Sequence, residues 1–217
     1  MKFITTSILF ICILISGISC QQSSKTAFQN PPEWSQKAIW YQIFVERFRN
    51  GDTSNDPTRA DIIGSYPGFI PETWEITPWG QDWYKPDPWF EALEGIKDGA
   101  GNPVQNFNQK VQLRRYGGDL QGVLDAMEYL DSLGVTAIYF NPLNDAPSLH
   151  KYDARNWRHV DVNFGPDPEG DKARIAQEVP DDPSTWVFTS ADSLFLNVLQ
   201  SFHERNIKVI LDYSWNH

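Results

Sequence analysis

The chain is poor in cysteine and in basic residues, and both shortages exclude classes of protein. It has only two cysteines, Cys12 and Cys20, in 217 residues. Cleavage of an N-terminal signal before Cys20 would leave one, and a disulfide framework or a zinc site built from cysteines is then excluded. Lys and Arg number 18 against 28 Asp and Glu, which gives a net charge of −10. We therefore expect no nucleic-acid partner, because such proteins carry a basic patch or stripe.

The sequence also has no apolar run long enough to be a clear membrane span. Its longest run, residues 3–18, is shorter than the roughly 20 residues that a spanning helix needs. A preceding lysine and following small and polar residues predict instead a signal peptide over residues 1–20. The segment resembles a bacterial lipoprotein signal, in which Cys20 would be lipidated and hold an exported protein on the membrane. Plain secretion with cleavage near Ser19, to the periplasm or beyond, and an uncleaved anchor are the alternatives.

A polar segment with two adjacent prolines, residues 21–37, is predicted to be a tether between the export signal and the fold. Beyond it, helical periodicity with Asp119 as N-cap and Gly134 as terminator predicts a helix over 119–133. A capping box that starts at Thr189 opens a second helix. Apolar runs rich in β-branched and aromatic residues predict three buried strands. These strands are 38–45, 135–140 and 207–211.

Strands and helices alternate, which predicts right-handed βαβ units and a parallel sheet. Long connections, residues 52–116 and 143–186, follow the first two strands, while each helix leads to the next strand by a short link. Long loops after the strands are typical of the functional face of a (β/α)8 TIM barrel. We therefore predict an α/β fold, namely the N-terminal part of a TIM barrel with about three strands and a long insertion after strand 1. An open doubly wound sheet is the alternative, although neither helix follows a Gly-x-Gly-x-x-Gly loop.

The first connection contains four closely spaced tryptophans, Trp74, Trp79, Trp83 and Trp89. They could form a surface for stacking sugars or the core of a loop subdomain. We favour the core, because a long insertion must bury something.

Four segments together carry a family resemblance. They are Ile39–Phe48, Gly117–Gly122, His150–Asp153 and Leu211–His217. In this order and spacing they resemble the alpha-amylase superfamily, glycoside hydrolase family 13, and within it the neopullulanase and cyclomaltodextrinase branch. The resemblance covers residues 38–217 and implies a partial catalytic barrel. It also implies retaining hydrolysis, or transglycosylation, of α-glucosidic bonds in starch-like glucans or maltooligosaccharides.

The resemblance also implies a set of substrate-site residues at the strand ends. A tyrosine ring offers a flat face on which a sugar can stack, whereas the residues alone favour a loop-anchoring aromatic. The implied substrate contacts are His150, Tyr152 and His217, and the implied supporting residues are Asp153, Asp212 and Asn216.

A loop rich in Asp and Asn after the first strand suggests a calcium site. Ca²⁺ prefers six to eight oxygen ligands, which such loops supply, although a plain Asx-rich turn is the alternative. The resemblance adds a carbonyl and a carboxylate from the Gly-Gly-Asp segment. The implied metal ligands are Asn50, Asp52, Asn55, Asp56, Gly117 and Asp119.

No catalytic residue is assigned within this sequence. Retaining hydrolysis needs two carboxyl groups about 5 Å apart, and in the family these follow the fourth and fifth strands, beyond residue 217. We therefore expect an enzyme of the alpha-amylase type as the full-length protein, of which this chain is an inactive N-terminal fragment. The alternatives are a non-catalytic carbohydrate-binding remnant and a purely structural lipoprotein.

Overall fold

The structure, a computed structural model, describes residues 30–215 of the chain. Residues 38–215 belong to one compact unit, and residues 30–37 lie outside it. The predicted signal peptide and Cys20 lie outside the described residues. Within residues 30–215, no helix has the length and apolar content required to cross a bilayer.

The described elements are short helices and strands linked by long connections. The helices are α1 (Glu33–Gln36), α2 (Val45–Phe48), α3 (Phe107–Lys110), α4 (Leu120–Asp125), α5 (Met127–Ser132), α6 (Pro168–Ile175) and α7 (Ser190–Glu204). The strands are β1 (Trp40–Ile43), β2 (Ala137–Phe140), β3 (Asn144–Asp145), β4 (Asn156–Val160) and β5 (Lys208–Leu211). Short 3-10 helices occur at Thr53–Asn55, Pro88–Leu93, Val111–Leu113, Val162–Phe164 and Pro183–Thr185.

Three parallel strands form the main sheet of the described residues, in the order β1-β2-β5. Ile43 lies opposite Phe140, and Phe140 lies opposite Leu211. All three carboxyl ends therefore lie at one edge, which confirms the predicted α/β fragment of a barrel. The last strand is less buried than predicted, since Ile210 and Leu211 are 39% and 38% exposed. The edge of β5 that faces away from β2 has no partner strand within residues 30–215.

The first predicted helix forms in two pieces. Asp119 caps α4 by accepting a hydrogen bond from the Gly122 N–H, and Gly134 follows α5 at φ 70°. The helix is interrupted at Ala126, whose φ and ψ of −96° and 4° are not helical. Leu133 is 46% exposed rather than part of the buried stripe, because the chain turns there toward β2.

The capping box at the start of α7 forms as predicted, with Thr189 and Asp192 exchanging hydrogen bonds between side chains and backbone. Phe195, Val198 and Phe202 then face the sheet, and Phe202 packs edge-on against Phe140 at 6.1 Å. Burying such side chains stabilises the fold by about 1.5–3 kcal/mol each. The sheet, α4, α5 and α7 thus share one core.

The first connection has a separate hydrophobic core. Trp74 and Trp89 are buried, and they pack with Leu93, Val104 and Leu113. Trp79 and Trp83 are instead 51% and 47% exposed. The predicted loop core is therefore confirmed for two of the four tryptophans.

Two glycines allow the chain after β1 to touch the chain that opens α4. A Cβ at Gly118 would lie 1.9 Å from the carbonyl oxygen of Val45, and one at Gly122 would lie 2.0 Å from that of Arg49. Real Cβ atoms do not approach oxygen this closely, so the two segments pack backbone against backbone. This contact fixes the segment that follows β1 to the start of α4.

The second connection, which is predicted only as a loop, contains regular structure. β3 and β4 form an antiparallel pair, and α6 precedes α7. The signal for α6 was present: Asp167 caps it and Pro168 occupies its first turn, which is a common helix start.

Candidate functional site

The strand ends bring two predicted site residues from distant loops together. Asp212 directly follows β5, and its N–H donates to the carbonyl of Phe140 at 2.9 Å. The Tyr152 hydroxyl donates to Asp212 Oδ2 at 2.6 Å. A charge-assisted hydrogen bond of this length is among the stronger ones in proteins. It fixes the orientation of the Tyr152 side chain at the carboxyl edge of the sheet.

The Asp212 carboxylate keeps the neighbouring phenols protonated. Its hydrogen bond raises the pKa of Tyr152 to about 12, and its hydrogen bond to Tyr139 raises the pKa of that residue too. Tyr139 lies on β2 and was not predicted as a site residue. The phenols therefore serve as hydrogen-bond donors at neutral pH and not as bases.

Ser148 organises the loop that carries His150 and Asp153. Its hydroxyl donates to the Asp153 carboxylate, lies 3.0 Å from His150 Nδ1 and accepts the Lys151 N–H at 3.1 Å. The Tyr152 N–H donates to His150 Nδ1 at 3.2 Å. The imidazole lies beside the Tyr152 ring, with 5.6 Å between their centroids. The structure thus places three of the predicted residues in one hydrogen-bonded turn.

A cavity of about 450 Å³ opens beside Asp212 rather than over Tyr152. Asp212 and Tyr213 line it on the strand side, and Trp186 and Phe188 line it on the loop side. The volume is within the range of small-molecule sites.

His159 connects the walls of this cavity. The ring is buried, with Nδ1 2.7 Å from Asp192 Oδ2 and Nε2 3.0 Å from Glu178 Oε1. Burial alone would raise the pKa of Glu178, but hydrogen bonds from the Val187 N–H, Arg158 and His159 lower it to about 2. The network fixes β4, residue 178 and the start of α7 to one another. Sequence reasoning missed it, because its members are far apart along the chain.

The predicted metal ligands converge around Asp119. Its Oδ2 accepts the N–H groups of Asp52 and Gly51 at 2.8 and 3.1 Å. Asn50 Nδ2 donates to Asp56 Oδ1 at 2.6 Å. The Asp52 side chain instead accepts from the N–H and hydroxyl of Ser54.

Two oxygens of this cluster are buried without a hydrogen-bond partner, Asn50 Oδ1 and Asn55 Oδ1. Burial raises the pKa of Asp119. It also raises that of Asp56, which the charges of Asp119 and Asp52 raise further. Orphaned amide oxygens beside carboxylates that repel each other fit a hard cation. Within residues 30–215, no group of three or more His, Cys, Asp or Glu side chains is itself arranged to hold a metal, so amide and backbone oxygens would have to complete the shell.

Gly117 lies between these groups. Its φ is 73°, and a Cβ there would lie 2.1 Å from Asp56 Oδ1 and 2.5 Å from Asn50 Nδ2. Glycine is therefore required at this position. The remaining predicted residues, Asn216 and His217, lie outside the described residues, as does Cys20.

The comparisons with known proteins show the family of the chain. Residues 42–178 match the family model described as "Alpha amylase, catalytic domain". Neopullulanase 2 of Thermoactinomyces vulgaris is 31% identical and covers 93% of this chain, which spans 25% of that protein. A cyclomaltodextrinase from a Bacillus species is 32% identical over 86% of this chain and 22% of its own length. The chain thus spans about a quarter or less of these relatives.

Solved structures of similar proteins superpose on this chain. A cyclomaltodextrinase structure superposes with a TM-score of 0.51 at 30% identity, covering 87% of this chain and 21% of its own. The cyclic alpha-maltosyl-(1→6)-maltose hydrolase of Arthrobacter globiformis has the same TM-score at 23% identity and covers 86% of this chain and 27% of its own; it shows the fold alone. With the family model matched over most of its length, the chain belongs to the alpha-amylase family and carries part of that family's catalytic domain.

Proposed function

We propose that this chain supplies part of the substrate-positioning face of an enzyme that cleaves or transfers α-glucosidic bonds in starch-like glucans or maltooligosaccharides. The observation that carries the proposal is the Tyr152–Asp212 hydrogen bond, which joins the two predicted substrate loops at the carboxyl edge of the sheet. The Tyr152 ring, held by that bond and flanked by His150, is the stacking surface for a sugar. His217 is a further sugar contact, and Asn216 supports its loop.

The reaction itself is retaining, with a carboxylate nucleophile and a carboxylic acid about 5 Å apart. We assign neither role to a residue of this chain. Its residues bind and orient the sugar. Such positioning accelerates a reaction, because it holds the reacting groups in alignment.

The full gene product tests this proposal. Its kcat/KM on maltoheptaose should fall at least about tenfold in Tyr152→Ala, because the stacking face and the hydrogen bond are both lost, a change of about 1.4 kcal/mol in transition-state binding. Tyr152→Phe keeps the ring and should lose less. Tyr84→Ala, at a side chain that is 84% exposed, is the matched control. Equal activity in all three variants contradicts the proposal, and maltoheptaose binding without turnover supports the carbohydrate-binding alternative.

We further propose that Ca²⁺ binds at the Asp119 cluster. Asn50, Asn55, Asp56 and Asp119 would supply side-chain oxygens, with Gly117 through its carbonyl and Asp52 at the edge of the set. The cation would satisfy the two orphaned amide oxygens and neutralise the repulsion between carboxylates.

Calcium at 100 times its Kd should then stabilise the folded protein by about 2.7 kcal/mol. Removing the calcium with EDTA should therefore lower the Tm, which is the quantity to measure. Asn55→Ala should remove most of this shift, whereas the exposed Asn108→Ala should keep it. A Tm that does not respond to EDTA, together with no calcium binding by calorimetry, excludes the site.

The export proposal concerns residues 1–20. We infer that Cys20 is lipidated and that the protein is held on a bacterial membrane. Labelling with palmitate should be lost in Cys20→Ser and kept in Cys12→Ser. Label that persists in Cys20→Ser contradicts lipidation at Cys20, and absence of label from the wild-type protein supports secretion without an anchor.

A further inference from the structure

A very small, partly enclosed cavity lies where the loops of the candidate metal site and the sugar site meet. Its volume is about 10 Å³, close to the volume that one water molecule requires. Residues from both loops line it. The charged and polar lining residues are Glu46, Asp61, Arg115, Lys151 and Asn163, and the backbone of Gly117 and Gly118 closes it.

Glu46 has an unsatisfied oxygen in this lining. The residue is 2% exposed. Its Oε1 accepts the N–H groups of Tyr116 and Gly117, so the carboxylate fixes the backbone just before Asp119. Its Oε2 is buried and has no hydrogen-bond partner in the protein. An orphaned carboxylate oxygen is costly in the interior, so a donor is needed at this point.

The lining cations are already engaged elsewhere. Lys151 Nζ donates to the Ala146 carbonyl at 3.1 Å and to the Asp161 carboxylate, which leaves one of its three donors. Arg115, 1% exposed, donates to four oxygens, among them Pro147 O at 2.7 Å. A cation in the cavity would meet Arg115 and Lys151, and an anion would meet Glu46 and Asp61. A neutral molecule that both donates and accepts fits both.

We propose that this cavity binds one water molecule, which donates to Glu46 Oε2 and accepts from the Lys151 ammonium. The water bridges the backbone that leads to Asp119 and the residue that precedes Tyr152. It therefore connects the candidate metal loop to the candidate sugar loop through the interior of the fold. This site does not depend on the proposed activity or on a bound cation.

The test is a crystal structure of the full-length protein at a resolution better than about 2 Å, grown with and without EDTA. We expect one density peak within about 3.2 Å of Glu46 Oε2 and of Lys151 Nζ in both crystals. A dry cavity, or a lysine or arginine side chain bonded directly to Oε2, would overturn the proposal. A peak that EDTA removes would overturn it as well, since it would be a metal ion.

Two variants test whether Glu46 holds the water molecule. Glu46→Gln keeps an acceptor for the two N–H groups and places an amide donor at the Oε2 position, so the water should remain and accept from both that amide and Lys151 Nζ. Glu46→Met removes both oxygens of the side chain, and the peak should be lost. A peak of equal strength in Glu46→Met shows that Glu46 does not hold the water. If Glu46→Met does not fold, absence of the peak from Glu46→Gln crystals still refutes the proposal.

Discussion

The two long connections leave neighbouring strands at the same edge of the sheet, but they are stabilised in different ways. The first, residues 52–116, has a hydrophobic core of its own around Trp89 and Leu93, and one buried ion pair, Arg114–Asp87 at 2.6 Å. The second, residues 143–186, contributes Leu143 and Phe164 to the barrel core. It therefore depends mainly on polar contacts.

Those polar contacts are numerous, and most of the side chains that make them are buried. Lys151 pairs with Asp161, Glu178 pairs with Arg158, and His159 lies between Glu178 and Asp192. Breaking a buried ion pair is costly, but its formation stabilises little, because desolvation offsets the attraction. Apolar burial stabilises a loop in a way that hardly depends on pH, whereas buried charges fix the exact positions of side chains and make them sensitive to pH. The connection that carries His150 and Tyr152 is the one whose ion pairs link it to α7 and to one another.

The largest effect is expected from removing the centre of the apolar core. Trp89→Ala should destabilise the protein by about 3–5 kcal/mol, since a fully buried aromatic leaves a large cavity. The measurement is denaturant unfolding of the full-length protein, with the exposed Tyr84→Ala as control, expected within about 0.5 kcal/mol of wild type. A small effect of Trp89→Ala would show that the first connection is also held mainly by polar contacts.

In the second connection we expect a comparable loss of stability, which a second substitution should partly restore. Lys151→Met leaves the Asp161 carboxylate buried and unpaired, at a cost of about 3 kcal/mol or more. Adding Asp161→Asn should recover part of this loss, because no unpaired charge then remains. Lys97→Met, at an exposed lysine, is the control. A double variant less stable than Lys151→Met would contradict the ion-pair explanation.

The smallest effect concerns pH. Because the folded state lowers the pKa of Glu178 from 4.5 to about 2, the folded protein binds fewer protons than the unfolded chain between these values. The contribution of Glu178 is therefore present above about pH 4.5 and is lost as the pH falls toward 2. Stability measured across this range should have a shallower slope in Glu178→Gln than in wild type. Glu169→Gln, whose side chain is 85% exposed, should keep the wild-type slope.

The sheet and its helices could be predicted, because local patterns specify them. The strand ending at Phe140, the cap at Asp119 and the box at Thr189 each depend on a few adjacent residues. The break at Ala126 and the exposure of Leu133 could not be predicted, since tertiary packing decides them. The same holds for the site: family motifs indicated Tyr152 and Asp212, but no local pattern links His159 to residues 178 and 192.

The backbone contact made by Gly118 and Gly122 has a consequence for how this protein can change. A side chain at either position would displace the carbonyls of Val45 or Arg49, so no single substitution there is tolerated without moving a whole segment. Random mutagenesis should therefore recover almost no viable variants at these two positions. The exposed face of the first connection around Tyr84, which is 84% exposed, is by contrast free to vary, and a designed library would gain most by sampling there.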